Sequence, residues 1–315
     1  MASREQLIKS LPPRAVQVLR TIRHRTHNIH CQSNNWNFLL RRRLFSLVGS
    51  PRPRIPDHTW YDLQFRPADS LKYYGIPVPG LPPDDVQRRF TARTAHENLK
   101  QAFSFYVHAC SASRLHEINL PRILDFGGGW GRIARFFLRD TKPELISISD
   151  CLSDSIYWLR ATNNPCNIIK NEPLPPIAGQ HVDFDLIYAF SVFSHLSEEY
   201  LRAWIDYLLG CLRPGGYFVF TTRGMQFIDQ LEHQRVASYL AKMLPNPQEV
   251  RSRHMKGELQ FYPTGGGGEL TSEFYGEAFI PRRYIEDNYG AELVAFTEDV
   301  ADVDQAVVVL RRQRL

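Results

Sequence analysis

Cysteine is scarce in this chain of 315 residues: five in all (Cys31, Cys110, Cys151, Cys166 and Cys211), odd in number, scattered, and without a C-x-x-C pair. Such spacing excludes a disulfide framework and a structural zinc site, and it predicts reduced thiols in a cytoplasmic compartment and no metal centre. Long apolar runs are missing as well. The longest candidate, 184–196, is broken by Asp185, Ser191 and His195, short of the ~20 apolar residues that span a bilayer. Near the N-terminus Arg4, Glu5 and Lys9 precede any apolar stretch, so the apolar core of a secretory signal is lacking, while the Arg-rich, acid-poor composition leaves an organellar transit peptide open. Internal repeats are absent too, and the low-complexity sequence is confined to Gly265–Gly268. A chain of this length buries enough surface, roughly three quarters of it, to fold without staples.

Charge is present but uneven. The first sixty residues carry eleven Arg or Lys against Glu5 and Asp57, a net of +9; with +5 overall, the remainder is mildly acidic at −4. A basic arm of this kind suits an anionic partner or a membrane surface. It equally suits a solvated helix whose arginine stems cover an apolar stripe.

Residues 1–94 read as a basic, mainly helical or irregular extension, with a second helix around 36–48 and a wrapping passage rich in proline (Pro51, Pro53, Pro56, Pro67, Pro77, Pro79, Pro82, Pro83) that excludes regular helix and central strand. From residue 95 to 315 the pattern is regular. Leu99, Phe103, Tyr106 and Cys110 lie on one helix face. Strands are predicted over 122–126, 144–149, 167–169, 184–190 and 217–222, with helices over 131–139, 153–162 and 197–212 between them. Alternation of this kind implies a doubly wound parallel α/β sheet covered on both faces. The runs 291–297 and 305–310 are separated by seven residues, too few for a crossover, so they should pair antiparallel and complete a seven-stranded, mostly parallel sheet.

The sharpest motif is Ile123-Leu124-Asp125-Phe126-Gly127-Gly128-Gly129-Trp130-Gly131-Arg132. A strand runs into a glycine turn and then into a helix, an arrangement that lets backbone approach a ligand at the carboxyl edge of an open sheet. The position three after the second glycine of a dinucleotide fingerprint is Arg132, and Gly131 makes the spacing G-x-G-x-G, which weakens a nicotinamide-dependent oxidoreductase reading.

An acidic residue followed by G-x-G-x-G resembles the first motif of the class I S-adenosylmethionine-dependent methyltransferases, matched here by Asp125, Gly127, Gly129 and Gly131. The resemblance covers roughly 82–312 and implies a Rossmann-like fold with S-adenosyl-L-methionine as cofactor. Asp150, at the end of the second strand, matches the acid that family members place on the ribose hydroxyls; a carboxylate accepts from both hydroxyls of a diol. It could also cap the following helix. Asn171 and Glu172 match the polar contacts to the adenine edge, in a proline-rich loop whose register is open. Around these the resemblance adds Phe126, Gly128, Cys151, Ala189 and Ser191 to the cofactor-binding set. Leu212-Arg213-Pro214-Gly215-Gly216 is similar to many members of this superfamily, and Gln305–Arg312 resembles the last strand of bacterial members associated with glycosyltransferases. Two positions depart from close relatives: Gly128 stands where many have Cys, and Ile280 where many have His.

The activity this resemblance implies is methyl transfer to an O or N atom of a small-molecule or glycan-related acceptor. Rate comes mostly from aligning nucleophile, methyl carbon and sulfur with water excluded. For a hydroxyl acceptor the candidate bases are His195, Tyr275 and Glu277, of which His195 could equally be a packed structural histidine. Residues 225–289, aromatic and glycine-hinged, suit a lid over the acceptor pocket. A nucleic-acid methyltransferase using the basic arm and a non-catalytic scaffold are the alternatives; the fourth strand ends Ala189-Phe190-Ser191, unlike the Asn/Asp-Pro-Pro-aromatic element of exocyclic-amine methylases.

Overall fold

A computed structural model describes residues 55–177, 179, 183–233 and 242–314. The basic arm up to residue 54, with the helix predicted at 36–48, lies outside these residues. In chain order, helices α1 (Asp57–Leu63), α2 (Asp84–Thr91) and α3 (Ala95–Ala112) precede the first strand, β1 (Ile123–Phe126). After α4 (Ala134–Phe137) come β2 (Ile146–Asp150), α5 (Ser153–Ala161), β3 (Asn167–Lys170), β4 (Phe184–Ala189), α6 (Glu198–Cys211) and β5 (Leu212–Thr222). The chain continues through α7 (Met225–Glu232), α8 (Pro247–Met255), a small hairpin sheet of β6 (Gln260–Tyr262) and β7 (Glu277–Phe279), then α9 (Arg282–Tyr289), β8 (Leu293–Thr297) and β9 (Ala306–Arg311).

The main sheet has seven strands in the order β3-β2-β1-β4-β5-β9-β8. The first five are parallel, and β9 is antiparallel to both of its neighbours. This is the doubly wound architecture with a terminal antiparallel hairpin that the alternation implies. Side-chain alternation sorts the sheet into two cores. Leu186, Tyr188, Val307 and Val309 face a core shared with Leu99, Phe105 and Tyr106 of α3. Ile187, Ala189, Val308 and Leu310 face one shared with Leu201, Trp204, Ile205 and Leu208 of α6.

The proline-rich passage holds two regular helices after all. Pro56 and Pro83 sit at the N-caps of α1 and α2, where a missing N–H costs nothing, so the prolines punctuate helices and do not prevent them. The passage wraps the sheet through polar ties. Trp60 Nε1 donates to Phe136 O at 2.9 Å. The fully buried Arg135 donates to Gln64 Oε1 (3.0 Å), Gln64 O (3.2 Å) and Pro79 O (2.7 Å). Two other segments differ from expectation. The helix predicted over 131–139 narrows to α4, because Gly131 turns at φ +80°. The strand predicted over 217–222 begins earlier: Pro214-Gly215-Gly216 enters β5, whose register with β4 shifts between Phe184 and Leu186.

Candidate active site

The order in which successive strands are added reverses between β1 and β4, which are parallel neighbours, and ligands of open α/β sheets bind at the carboxyl edge of such a switch. There the glycine turn leaves β1. The N–H groups of Gly127 and Gly128 donate to Ser149 O at 2.8 and 3.1 Å, which fastens the turn to β2. Gly127 has φ +70°, and a Cβ on it would lie 2.3 Å from Val192 Cγ2. The next contact brings in the predicted acid: Gly129 N–H donates to Asp150 Oδ2 at 2.8 Å, and Leu152 N–H donates to Oδ1 at 2.8 Å. Asp150 thus caps the turn into α5 and also lines the cavity. Two lone-pair directions remain on its carboxylate. Burial raises its pKa, and the Leu152 and Gly129 N–H bonds oppose that rise.

The cavity has a volume of about 330 Å³. Its floor is the glycine turn; its walls include Asp125, Asp150, Asn171, Phe190 and Trp204, and its roof comes from Gly266, Leu270, Phe274 and Tyr275. The roof is tied down by Glu269, which accepts from Ser153 N (2.7 Å) and Ser153 Oγ (2.9 Å) at the start of α5 and from Lys170 Nζ (3.0 Å). Residues 265–275, part of the stretch expected to form a lid, therefore do cover the cavity.

Several polar atoms in this wall have no hydrogen-bond partner among the described residues. Asp125 is 2% exposed, and its Oδ2 has no hydrogen-bond partner. Burial, with the Asp150 charge adding to it, pushes its pKa up to about 7; the nearby Tyr188 hydroxyl and Arg132 offset only part of this. Trp130 Nε1 and Asn171 Oδ1 are likewise buried and partnerless. Arg132, 9% exposed, donates to Gln101 Oε1 at 2.9 Å and lies over the Phe190 ring at 4.6 Å, yet pairs with no carboxylate among the described residues. Burial, with Arg93 adding to it, lowers its pKa to about 10. Unpartnered buried polar groups are costly unless a ligand completes them.

His195 lies on the segment after β4, where Ser191 adopts φ +59°. Its Nδ1 is 2.7 Å from Gly276 O, its Nε2 3.5 Å from Ser191 Oγ, and its ring stacks on Tyr275 with centroids 4.8 Å apart at 6°. Burial lowers its pKa.

The structure brings together at the cavity Asp125, Phe126, Gly127, Gly128, Gly129, Asp150, Cys151, Asn171, Ser191, His195 and Tyr275. Gly131 sits apart from it, where a Cβ would meet Asn164 Nδ2 at 2.6 Å. Glu172 is exposed, and Ala189 is buried in the α6-side core. Glu277 also lies off the cavity, held on β7 by Arg223 at 2.9 Å with Oε1 3.5 Å from His195 Nδ1. Residues not picked out from sequence complete the wall: Trp130 and Arg132 from the motif itself, and Arg89, Phe90 and Thr91 at the end of α2. The signal for Arg132 was its charge inside a glycine turn; α2 offered none, being masked by prolines. Among the described residues no cluster of His, Cys, Asp and Glu is placed to hold a metal, and no helix is long and apolar enough to cross a membrane.

Sheet order, switch-point cavity and glycine turn define a class I methyltransferase. The chain belongs to the methyltransferase-domain family, whose family model matches residues 84–262, and its methyl donor is S-adenosylmethionine. It is 27% identical over 199 residues to the biotin biosynthesis bifunctional protein BioCD of Bordetella avium, covering 56% of this chain and 42% of that one. The chain thus spans less than half the length of that relative. Similar solved structures include the 1,6-didemethyltoxoflavin-N1-methyltransferase of Burkholderia thailandensis with S-adenosylhomocysteine (12% identity, 83% of this chain and 92% of that one, TM-score 0.45). Another is CalS10, an amino pentose methyltransferase of Micromonospora echinaspora (14% identity, 74% and 99%, TM-score 0.47).

Proposed function

We propose that this methyltransferase acts on an O or N atom of a small-molecule or glycan-related acceptor, and that the switch-point cavity is where it does so. The observation that carries the reading is the set of unmet polar groups around the glycine turn: an Arg132 with no salt-bridged carboxylate among the described residues, a buried Trp130 N–H and an open Asn171 Oδ1 next to Asp150. Each answers one part of S-adenosylmethionine. Asp150 would accept from the ribose hydroxyls, Asn171 would meet the adenine edge, and Arg132 with Trp130 would meet the methionyl carboxylate. Bound, the cofactor supplies a methyl group already activated on a positively charged sulfur. The chain's own part is to orient the reactants and keep water out, which the roof fastened by Glu269 does. The covered space of about 330 Å³ is of the size small-molecule and cofactor sites have. Cys166 and Cys211, buried and outside any disulfide among the described residues, suit a cytoplasmic setting.

Titration calorimetry with S-adenosylhomocysteine tests this directly. The folded protein should bind it, and Asp150→Ala should weaken binding roughly 30-fold, about 2 kcal/mol. Absence of heat from folded protein refutes the proposal.

A further inference from the structure

Resting on the methyl-transfer reading above, we propose that the acceptor atom is a hydroxyl oxygen, that Nε2 of His195 takes its proton, and that Glu277 is the positioning residue behind the imidazole. A carbonyl oxygen can only accept, so the 2.7 Å contact with Gly276 O places the hydrogen of the neutral ring on Nδ1. The lone pair is then on Nε2, beside Ser191 Oγ in the cavity wall.

This orientation is fixed from every side. His195 N–H donates to Val192 O (2.9 Å), its carbonyl accepts from Gly276 N–H (2.8 Å), and the Tyr275 ring lies parallel against the imidazole. Ser191 Oγ already accepts from Gln305 Nε2 at 3.0 Å, which leaves its own hydrogen to turn toward Nε2 or toward the acceptor. Behind the ring, Glu277 Oε1 is 3.5 Å from Nδ1, while its Oε2 is held by both Nε and Nη2 of Arg223 at 2.9 Å. The charged and titratable groups facing the imidazole are therefore Glu277 from β7, Arg223 from the end of β5 and Tyr275 from the roof. Glu277 and the Gly276 carbonyl favour the imidazolium; burial and Arg223 favour the neutral ring. A base that starts neutral and is stabilised once protonated has the properties that proton abstraction requires.

The chemistry selects the acceptor. A neutral amine attacks through a lone pair it already has and can shed its proton afterwards to water. A hydroxyl is a poor nucleophile until its proton is leaving, so a fixed base beside it accelerates the reaction by ~10²–10⁴-fold. In the balanced step the acceptor oxygen forms the new bond to the methyl carbon, the carbon–sulfur electron pair stays on sulfur, and the hydroxyl proton passes to Nε2. One positive charge leaves sulfur and one arrives on the imidazole, next to Glu277.

Two measurements test this, the first independent of turnover. Long-range ¹H–¹⁵N NMR of the complex with S-adenosylhomocysteine should show the Nδ1–H tautomer of His195, titrating below the ordinary histidine range, and Glu277→Gln should move that titration lower still. An Nε2–H tautomer overturns the proposal. In the second, ¹³C-methyl S-adenosylmethionine is incubated with the protein and a small-molecule extract of its source cells. The labelled product should give a methoxy carbon signal, and His195→Gln should reduce its formation ~100-fold or more while S-adenosylhomocysteine affinity changes less than about threefold. Glu277→Gln should lower kcat and shift the acid limb of its pH profile to lower pH. An N-methyl signal, full activity of His195→Gln, or no transfer by protein that binds S-adenosylhomocysteine overturns the hydroxyl assignment alone. Failure to bind S-adenosylhomocysteine removes the underlying methyl-transfer reading as well.

Discussion

Adding one methyl group at Gly127 puts two separable strains into the turn. The residue sits at φ +70°, where an L side chain costs roughly 1–2 kcal/mol, and the new Cβ would stand 2.3 Å from Val192 Cγ2, an overlap whose relief costs about 1–3 kcal/mol. Gly127→Ala should therefore destabilise the fold by ~2–5 kcal/mol. Removing the Val192 methyls leaves its Cβ, 3.5 Å away, as the nearest atom of that side chain, so in a Val192→Ala background only the backbone strain should persist. The double-mutant cycle should return a coupling of ~1–3 kcal/mol. Gly129→Ala is the control. It has φ +56° with Phe90 Cδ1 no nearer than 3.7 Å, so it should lose only the backbone part, about 1–2 kcal/mol. Urea unfolding of the four cycle members and the control measures all of this. Equal losses at 127 and 129, or a coupling within ~0.5 kcal/mol of zero, would refute the packing argument.

Arg135→Met should cost about 3 kcal/mol in urea unfolding, because the carbonyls of Gln64 and Pro79 lose a buried charged donor; a loss under 1 kcal/mol would show that residues 64–80 are held by other means. Glu269→Gln removes the charge that joins the roof to Ser153 and Lys170, and stopped-flow displacement should show S-adenosylhomocysteine leaving ~10-fold faster with the melting temperature little changed. For Asp125 the folded-state pKa, about 7, lies above the ordinary 3.8, so the folded protein holds a proton that the unfolded chain releases. Stability from this group is full below about pH 4 and declines as pH rises toward 7. Ligand-free melts should show that decline, and Asp125→Asn should flatten it.

Legibility from sequence followed the range of the interactions. Strand β4, Phe184–Ala189, is buried at every position, and its run Leu186-Ile187-Tyr188-Ala189, apolar on both faces, announces a central parallel strand without help from elsewhere. The terminal hairpin was readable because seven residues cannot make a crossover. By contrast β6 and β7 have three residues each, too few to show a period, and they exist because they pair with each other across the roof. Asp84 and Asp85 after Pro83 are a normal helix start, obscured by the prolines around them. At the cavity, Asp125, the glycines and Asp150 lie within a single βαβ segment and could be identified locally. The settings of Arg132 and His195 could not, since Gln101 is 31 residues from the first and Gly276 is 81 from the second. Sequence offered residue types there; only folding supplied their neighbours.

The position of β9 between β5 and β8 bears on how the polypeptide matures on the ribosome. The strand that belongs between β5 and β8 is synthesised after both, so among the described strands β8 has no hydrogen-bonding neighbour and the flank of β5 stays bare until Ala306–Arg311 emerges. Gln305, which steadies Ser191, arrives with it. A nascent chain halted before this point holds the glycine turn and Asp150 but presents two unsatisfied strand edges, which makes it a natural client for chaperones and proteases.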